Sequence, residues 1–545
     1  MQQFNIVTRR GFFDRSLKLG LGVALATLTD IPFVLKRALA EGTIGLNGKK
    51  LLFIFLRGAN DSLNSLVPIE DPAYVTSRPK IGLPRSGAVN YYSNTGSMDD
   101  LSGSPGFPTY AINAGNAFAA LHPSLKYLAP VYNAGDLALI HRVGYPRQSR
   151  SHFDSQIYWE SGNPGDNLSK DGIFYRTILE SGMADGSNPF TGVSIQSSLP
   201  LILRGSEAAM TNLGDPTRFK LLGVPNSTAG VLKATNNIIA ANDFPVPEKM
   251  SRELLSLQYK NLNMAMESLP APLFEEANNN YTDPTTGYHL FPTTNAKNAL
   301  GVSANYVVDT ASTSYTFFKN IKAAALILNK TTAVIAGTEL GGFDTHSDQI
   351  TRSADGTVWD PLTGGHSNLQ KRIAWAMYGL RKYFLHNSDQ ATWDNTIVVT
   401  LSEFGRTTIE NGTFGTDHAE AGVMFVAGGG VKGYDSQTPG TTGIFGCHTT
   451  GTLPWIPGPA NQGGVSSADG SMFGVSDRYL KRTYDYRSVL GKIIRDHLGA
   501  TQSQLNRIIP AYTVAGQKLQ AGGVTTNSTL DRTDGTTIAG EPDIV

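Results

Sequence analysis

The most regular feature of the chain is a set of short apolar runs separated by polar, glycine-bearing turns. Residues 50–56 form a nearly continuous apolar run, the pattern of a strand buried on both faces. It ends in Arg57-Gly58-Ala59-Asn60-Asp61-Ser62, a turn that places Asn60 and Asp61 at the carboxyl edge of a sheet. Residues 137–143, 332–339, 396–401 and 423–427 read as four further buried strands. Between and after them, apolar positions recur at three- and four-residue steps over 121–133, 153–161, 315–329, 369–385 and 486–498, which predicts helices. A stretch at 248–277 predicts an amphipathic helix or pair. Strands alternating with helices predict an α/β fold with a central, mostly parallel sheet flanked by helices. Residues 80–115 read as a surface loop, 160–330 as a more helical insert, and 511–545 as a flexible tail rich in Thr, Gly and Asp.

The first forty residues change that picture. Thr8-Arg9-Arg10-Gly11-Phe12-Phe13 is a twin-arginine pattern, followed by an apolar stretch at 19–28 and by Ala38-Leu39-Ala40, a small-x-small cleavage site. This order predicts a signal peptide over 1–40 and a mature domain over 45–510, exported by the twin-arginine machinery to the periplasm or beyond. The apolar stretch is about half the roughly 20 residues a membrane-spanning helix needs, so no span is expected in the mature protein. Those forty residues hold six of the 45 basic and two of the 45 acidic residues, leaving 39 and 43 in the remainder. No basic run follows, so a nucleic-acid partner has no electrostatic footprint. The single cysteine, Cys447, excludes an internal disulfide framework and thiolate clusters.

Candidate chemistry gathers in short loops that follow predicted strands. Asp344 and His346 stand one residue apart in a Gly-flanked loop, so that both can face one cation or one substrate oxygen. The alternative is an Asx-turn carrying a surface histidine. Glu403 follows the strand at 396–401 as a ligand, a general base or a helix-capping partner, and Arg406 either neutralises it or holds an anionic substrate through its planar fork. Asp417-His418 supplies two ligands, or one ligand and its orienting carboxylate. Asp61 is a ligand or a turn cap. Ser149, Ser151 and His152 form the nucleophile cluster, with Ser151 equally placed to cap the helix that follows. Arg147 and Arg150 lie beside them. A G-x-S-x-G elbow, an H-E-x-x-H pair and a Walker loop are all missing, which argues against an ordinary α/β-hydrolase triad, zincin chemistry and a phosphate loop.

Five segments, Phe53–Pro68, Val143–Trp159, Thr338–His346, Leu401–Arg406 and Gly415–His418, together resemble the domain of unknown function 1501 family. It is a bacterial family of twin-arginine-exported proteins placed near the alkaline phosphatase and sulfatase superfamily. The resemblance runs from about Lys50 to Leu498. It implies an alkaline-phosphatase-like three-layer sandwich and hydrolysis or transfer of a phosphate or sulfate ester at a metal site. It further implies that Asp61, Asp344, His346, Glu403, Asp417 and His418 are metal ligands and that Ser149 or Ser151 is the nucleophile. The expected cofactor is a divalent metal (Zn, Mn, Mg or Ca), and the expected substrate a small-molecule or glycan ester. Two spacings depart from the superfamily: a single residue separates Asp344 from His346, and Asp417-His418 comes well after the strand that Glu403 ends. A non-catalytic envelope or glycan-binding protein on a decayed hydrolase fold is the alternative, and a metal-free hydrolase using a Ser-His pair is the third.

Overall fold

The computed structural model describes residues 44–45, 47–84, 111–145, 148–183, 190–208, 210–216, 237, 273–274, 281–284, 286–292, 311–438, 440–450, 454–458, 480, 482–510, 512 and 540–545. The twin-arginine segment, residues 85–110 of the expected loop, Arg147, and the expected helix over 248–277 apart from 273–274 lie outside them.

A large mixed sheet organises the described chain. Its strands are β1 (Lys50–Arg57), β2 (Leu137–Gly144), β3 (Gly192–Ser194), β4 (Thr211–Asn212), β5 (Ile335–Gly341), β6 (Thr396–Leu401), β9 (Gly422–Ala427), β10 (Ile444–Phe445) and β11 (Tyr484–Asp485). A two-stranded ribbon, β7 (Gly405–Arg406) and β8 (His418–Ala419), lies between β6 and β9 in the chain. The sheet order is β10-β2-β9-β6-β1-β5-β3-β4, with β11 also pairing β2. All pairings are parallel except those of β9, which runs against both β6 and β2.

The apolar runs explain the layers. In β1, Leu52, Ile54 and Leu56 point into one apolar cluster and Leu51, Phe53 and Phe55 into the other, as the two-residue period of a strand requires. The first cluster is closed by α3 (Ser312–Lys330), α4 (Gly365–His386) and the segment around 123–133. The second is closed by α1 (His152–Ser161), α2 (Ile173–Glu180), α5 (Tyr486–Lys492) and α6 (Gln502–Ile508). Helices thus cover both faces of a sheet that is hydrophobic on both sides. The expected helix over 121–133 begins as a 3-10 helix at Pro123–Leu128 and becomes α-helical only at Ala129–Asn133. The helix expected over 486–498 likewise passes from α5 into a π-helical turn at Ile493–His497. Residues 540–545, which composition assigns to a tail, pack against the domain: Ile544 is buried and Glu541 pairs with Arg495 at 2.6 Å. Among the described residues no helix is long and apolar enough to cross a membrane.

Because β6, β1 and β5 are adjacent and parallel, their carboxyl ends open onto one edge, where their loops meet. β2 points the same way, so the loop from β2 to α1 joins them.

Candidate metal centre

Four side chains converge at that edge. Oδ1 of Asp344, in the loop after β5, lies 3.3 Å from Nε2 of His152, 3.2 Å from Nε2 of His346 and 3.4 Å from Nε2 of His418. His152 opens α1, His346 follows Asp344 by two residues, and His418 stands on the ribbon strand β8. The ligating atoms of His152, Asp344 and His418 all fall within 4.8 Å of one another. His346 Nε2 is 2.8 Å from His418 Nε2.

The opposite nitrogens of the three rings are all engaged. Nδ1 of His152 bonds Glu403 Oε1 at 2.9 Å, Nδ1 of His346 bonds Asp417 Oδ1 at 3.2 Å, and Nδ1 of His418 donates to the Arg150 carbonyl at 2.8 Å. An imidazole that donates its Nδ1 proton has an Nε2 lone pair to offer a cation, and all three Nε2 atoms lie beside Asp344. Nε2 of His152 is buried and has no hydrogen-bond partner among the described residues. Ligand bonds of about 2.0–2.1 Å around a tetrahedral zinc-class ion set neighbouring ligand atoms about 3.3 Å apart. The Asp344 Oδ1 distances match that edge length, and His152, Asp344 and His418 are the residues that would hold a divalent cation.

The charges are consistent with this arrangement. Burial alone would raise Asp344, but the Arg406 guanidinium, donating to Oδ1 at 2.7 Å, brings it down to about 2. Glu403 is held low although burial opposes it, because His152, the Gly58 N–H and Gln156 all donate to the same Oε1. Its bond to Glu403 raises His152, against burial. Burial lowers His418, with the Arg406 charge adding to the effect. Side-chain exposure is 48% for Asp344 and 43% for His346, so the cluster opens to solvent on their side.

The expected site residues divide accordingly. Asp344, His346 and His418 are brought together at one point. His152, expected beside the nucleophile, joins them, and with Asp344 and His418 it forms the group whose ligand atoms lie close enough for one ion. Glu403 and Asp417 stand behind His152 and His346 and orient them. Asp61 is turned elsewhere: fully buried, its Oδ2 accepts from Arg78 Nη1 and from Gln349 Nε2, each at 2.7 Å. Burial would raise its pKa, but Arg78 brings it below the usual carboxylate range. Arg406 is buried and donates to the carbonyls of Gly58, Ala59, Phe343 and Thr416 as well as to Asp344. It ties three loops together, with its whole fork occupied, in place of the substrate-holding role open to it in the sequence. Ser151 caps α1, its Oγ accepting from Asp154 N at 3.4 Å, and Ser149 Oγ accepts from Ser151 N at 3.1 Å. Neither hydroxyl is bonded to an imidazole or carboxylate among the described residues. The signal that could have placed His152 is its position as the first residue of a helix whose preceding loop leaves a buried strand.

Residues 293–450 match a family model described as protein of unknown function (DUF1501). The match spans less than a third of the chain. It includes Asp344, His346, Glu403, Arg406, Asp417 and His418 and stops short of His152. No curated protein matches this chain at a significant level.

Proposed function

We propose that this chain is an exported, metal-dependent hydrolase or transferase of a phosphate or sulfate ester, on an alkaline-phosphatase-like sandwich. One observation carries the reading: three imidazole Nε2 atoms surround a single carboxylate oxygen, while each Nδ1 is held by a separate acceptor. Three nitrogens and one oxygen suit zinc or a similar transition ion better than the oxygen-seeking Mg or Ca. A cation held there supplies a Lewis acid that polarises the ester and offsets charge on the transferred group. The chain's own residues do the rest. Glu403, Asp417 and the Arg150 carbonyl fix the ring orientations. Arg406 fixes the loop bearing Asp344. The exposed sides of Asp344 and His346 leave room for the ester and for water, which we assign as the nucleophile because Ser149 and Ser151 have no base at hand.

His152, Asp344 and His418 alone would leave a position open for the ester, whereas His346 as a fourth ligand would close the set, the pattern of structural zinc. That favours, as the second reading, a non-catalytic binding protein that retains its metal. Elemental analysis of protein exported through its own N-terminus should find close to one equivalent of transition metal, and His418→Ala should lose most of it. EDTA treatment should abolish turnover of an aryl phosphate or aryl sulfate. Full activity in metal-free protein would end the hydrolase proposal, and bound metal with no turnover across an ester panel would favour the second reading.

A further inference from the structure

One strand along from the cluster, the described residues line an open pocket of about 760 Å³, within the size range of small-molecule sites. Gly341 and Gly342, the residues that lead β5 into the Asp344 loop, form part of its wall. Two residues of chain span at most about 7 Å, so the cavity begins beside the cluster. Its polar wall mixes donors and acceptors: Gln196, Glu339, Asn320 and Arg372 line it. Phe317 and Leu369 give it an apolar side. The starts of α3 and α4 also border it, and neither helix has a side-chain cap.

Gln196 identifies the kind of ligand. It is only 7% exposed, and its Oε1 has no partner among the described residues. Its Nε2 faces Glu339 Oε2 at 3.4 Å, so turning the amide over would set two acceptors against each other. A buried amide oxygen left without a donor is unfavourable, and a ligand hydroxyl would satisfy it. Glu339 is likewise an acceptor, held at 3.1 Å by Arg57 Nε. Acceptors from Gln196 and Glu339 therefore meet the ligand, and the Asn320 amide and Arg372 guanidinium stand in the same wall. A simple anion would face the Glu339 carboxylate. A polyol can both give and accept hydrogen bonds and lay its C–H face on Phe317 and Leu369.

We propose that this cavity is a saccharide subsite that seats the sugar portion of the ester while the adjacent cluster handles the ester group. This rests on the function proposed above, but binding of an unesterified sugar tests it without turnover. Calorimetric titration of the full chain with a panel of neutral, N-acetylated and uronic monosaccharides and disaccharides should find at least one that binds saturably. Gln196→Leu should weaken that binding by tenfold or more. Ser197→Trp, a change at an exposed position on the cavity wall, should block it while leaving the fold unchanged by circular dichroism. His418→Ala should leave sugar binding intact while losing metal. No binding across the panel, or unchanged affinity in both Gln196→Leu and Ser197→Trp, would overturn the subsite. Unaltered protein that binds sugar but carries no metal and turns over no ester would overturn only the hydrolase.

Discussion

Glu403 and Asp61 show how two carboxylates at neighbouring strand ends acquire different work. Both follow buried apolar runs, and nothing in those runs separates them. Asp61 has Arg78, 17 residues on, against its Oδ2, and both side chains are fully buried. Glu403 has His152 and two other donors on Oε1, and its Oε2 is buried with no partner among the described residues. Glu403→Gln should therefore weaken cation binding roughly 10- to 100-fold, since it disturbs the partner that orients a ligand. A competition titration with a chromophoric chelator would measure this, and an unchanged affinity would remove Glu403 from the site. Asp61→Ala, by contrast, leaves Arg78 buried without its carboxylate and should cost about 3–5 kcal/mol of stability with metal stoichiometry preserved. The residue types were legible in the sequence as a set of candidates. Their division into ligand, support and structural ion pair was not, because it depends on partners far away in the chain.

At the scale of elements, the site depends on loops that approach closely. Gly58, just after β1, has φ of +106°, and a Cβ built there would lie 2.4 Å from the Asp344 backbone N. Its N–H also donates to Glu403 Oε1 at 2.7 Å. Gly58→Ala should both strain the turn, at about 1–3 kcal/mol, and push the Asp344 loop away from the histidines. The expected outcome is a lower melting temperature together with weaker cation binding; a drop in one without the other would mean that the two loops are not coupled through this contact. The strands that build this edge were readable because their apolar runs are long and uninterrupted. The direction of β9 was not readable, since periodicity reports which residues are buried and carries no sign for the chain's course. The short strands β3 and β4, of three and two residues, offer too few positions for any pattern to register.

The molecule as a whole carries a pH-dependent liability on the far side of the sheet. Lys50 opens β1 and is 5% exposed, with its ammonium donating to the carbonyls of Thr331 and Ala333. Burial takes its pKa from 10.5 down to about 8. Between those values the unfolded chain binds a proton that the folded chain has released, so this group makes stability rise with pH across that window. Below about pH 8 the folded protein bears the full cost of the buried cation. Lys50→Met should flatten the rise, a difference of at most about 3 kcal/mol over the window by denaturant unfolding. An equal slope in both proteins would show that other groups set it. The alternation of strand and helix made the α/β class legible over most of the described chain. The packing of residues 540–545 was not, because a Thr/Gly/Asp-rich approach hides the two apolar residues, Ile544 and Val545, that follow it.

The reversal of β9 has a consequence for how such a site can change. Since β9 runs against β6, the chain leaves the sheet at Leu401 and re-enters it at Gly422 on the same edge. Glu403, Arg406, Asp417 and His418 therefore all belong to one excursion of 20 residues, 402–421, that never crosses to the other side. Insertions, deletions or a transplanted version of that cassette can retune the pocket without rethreading the scaffold beneath it.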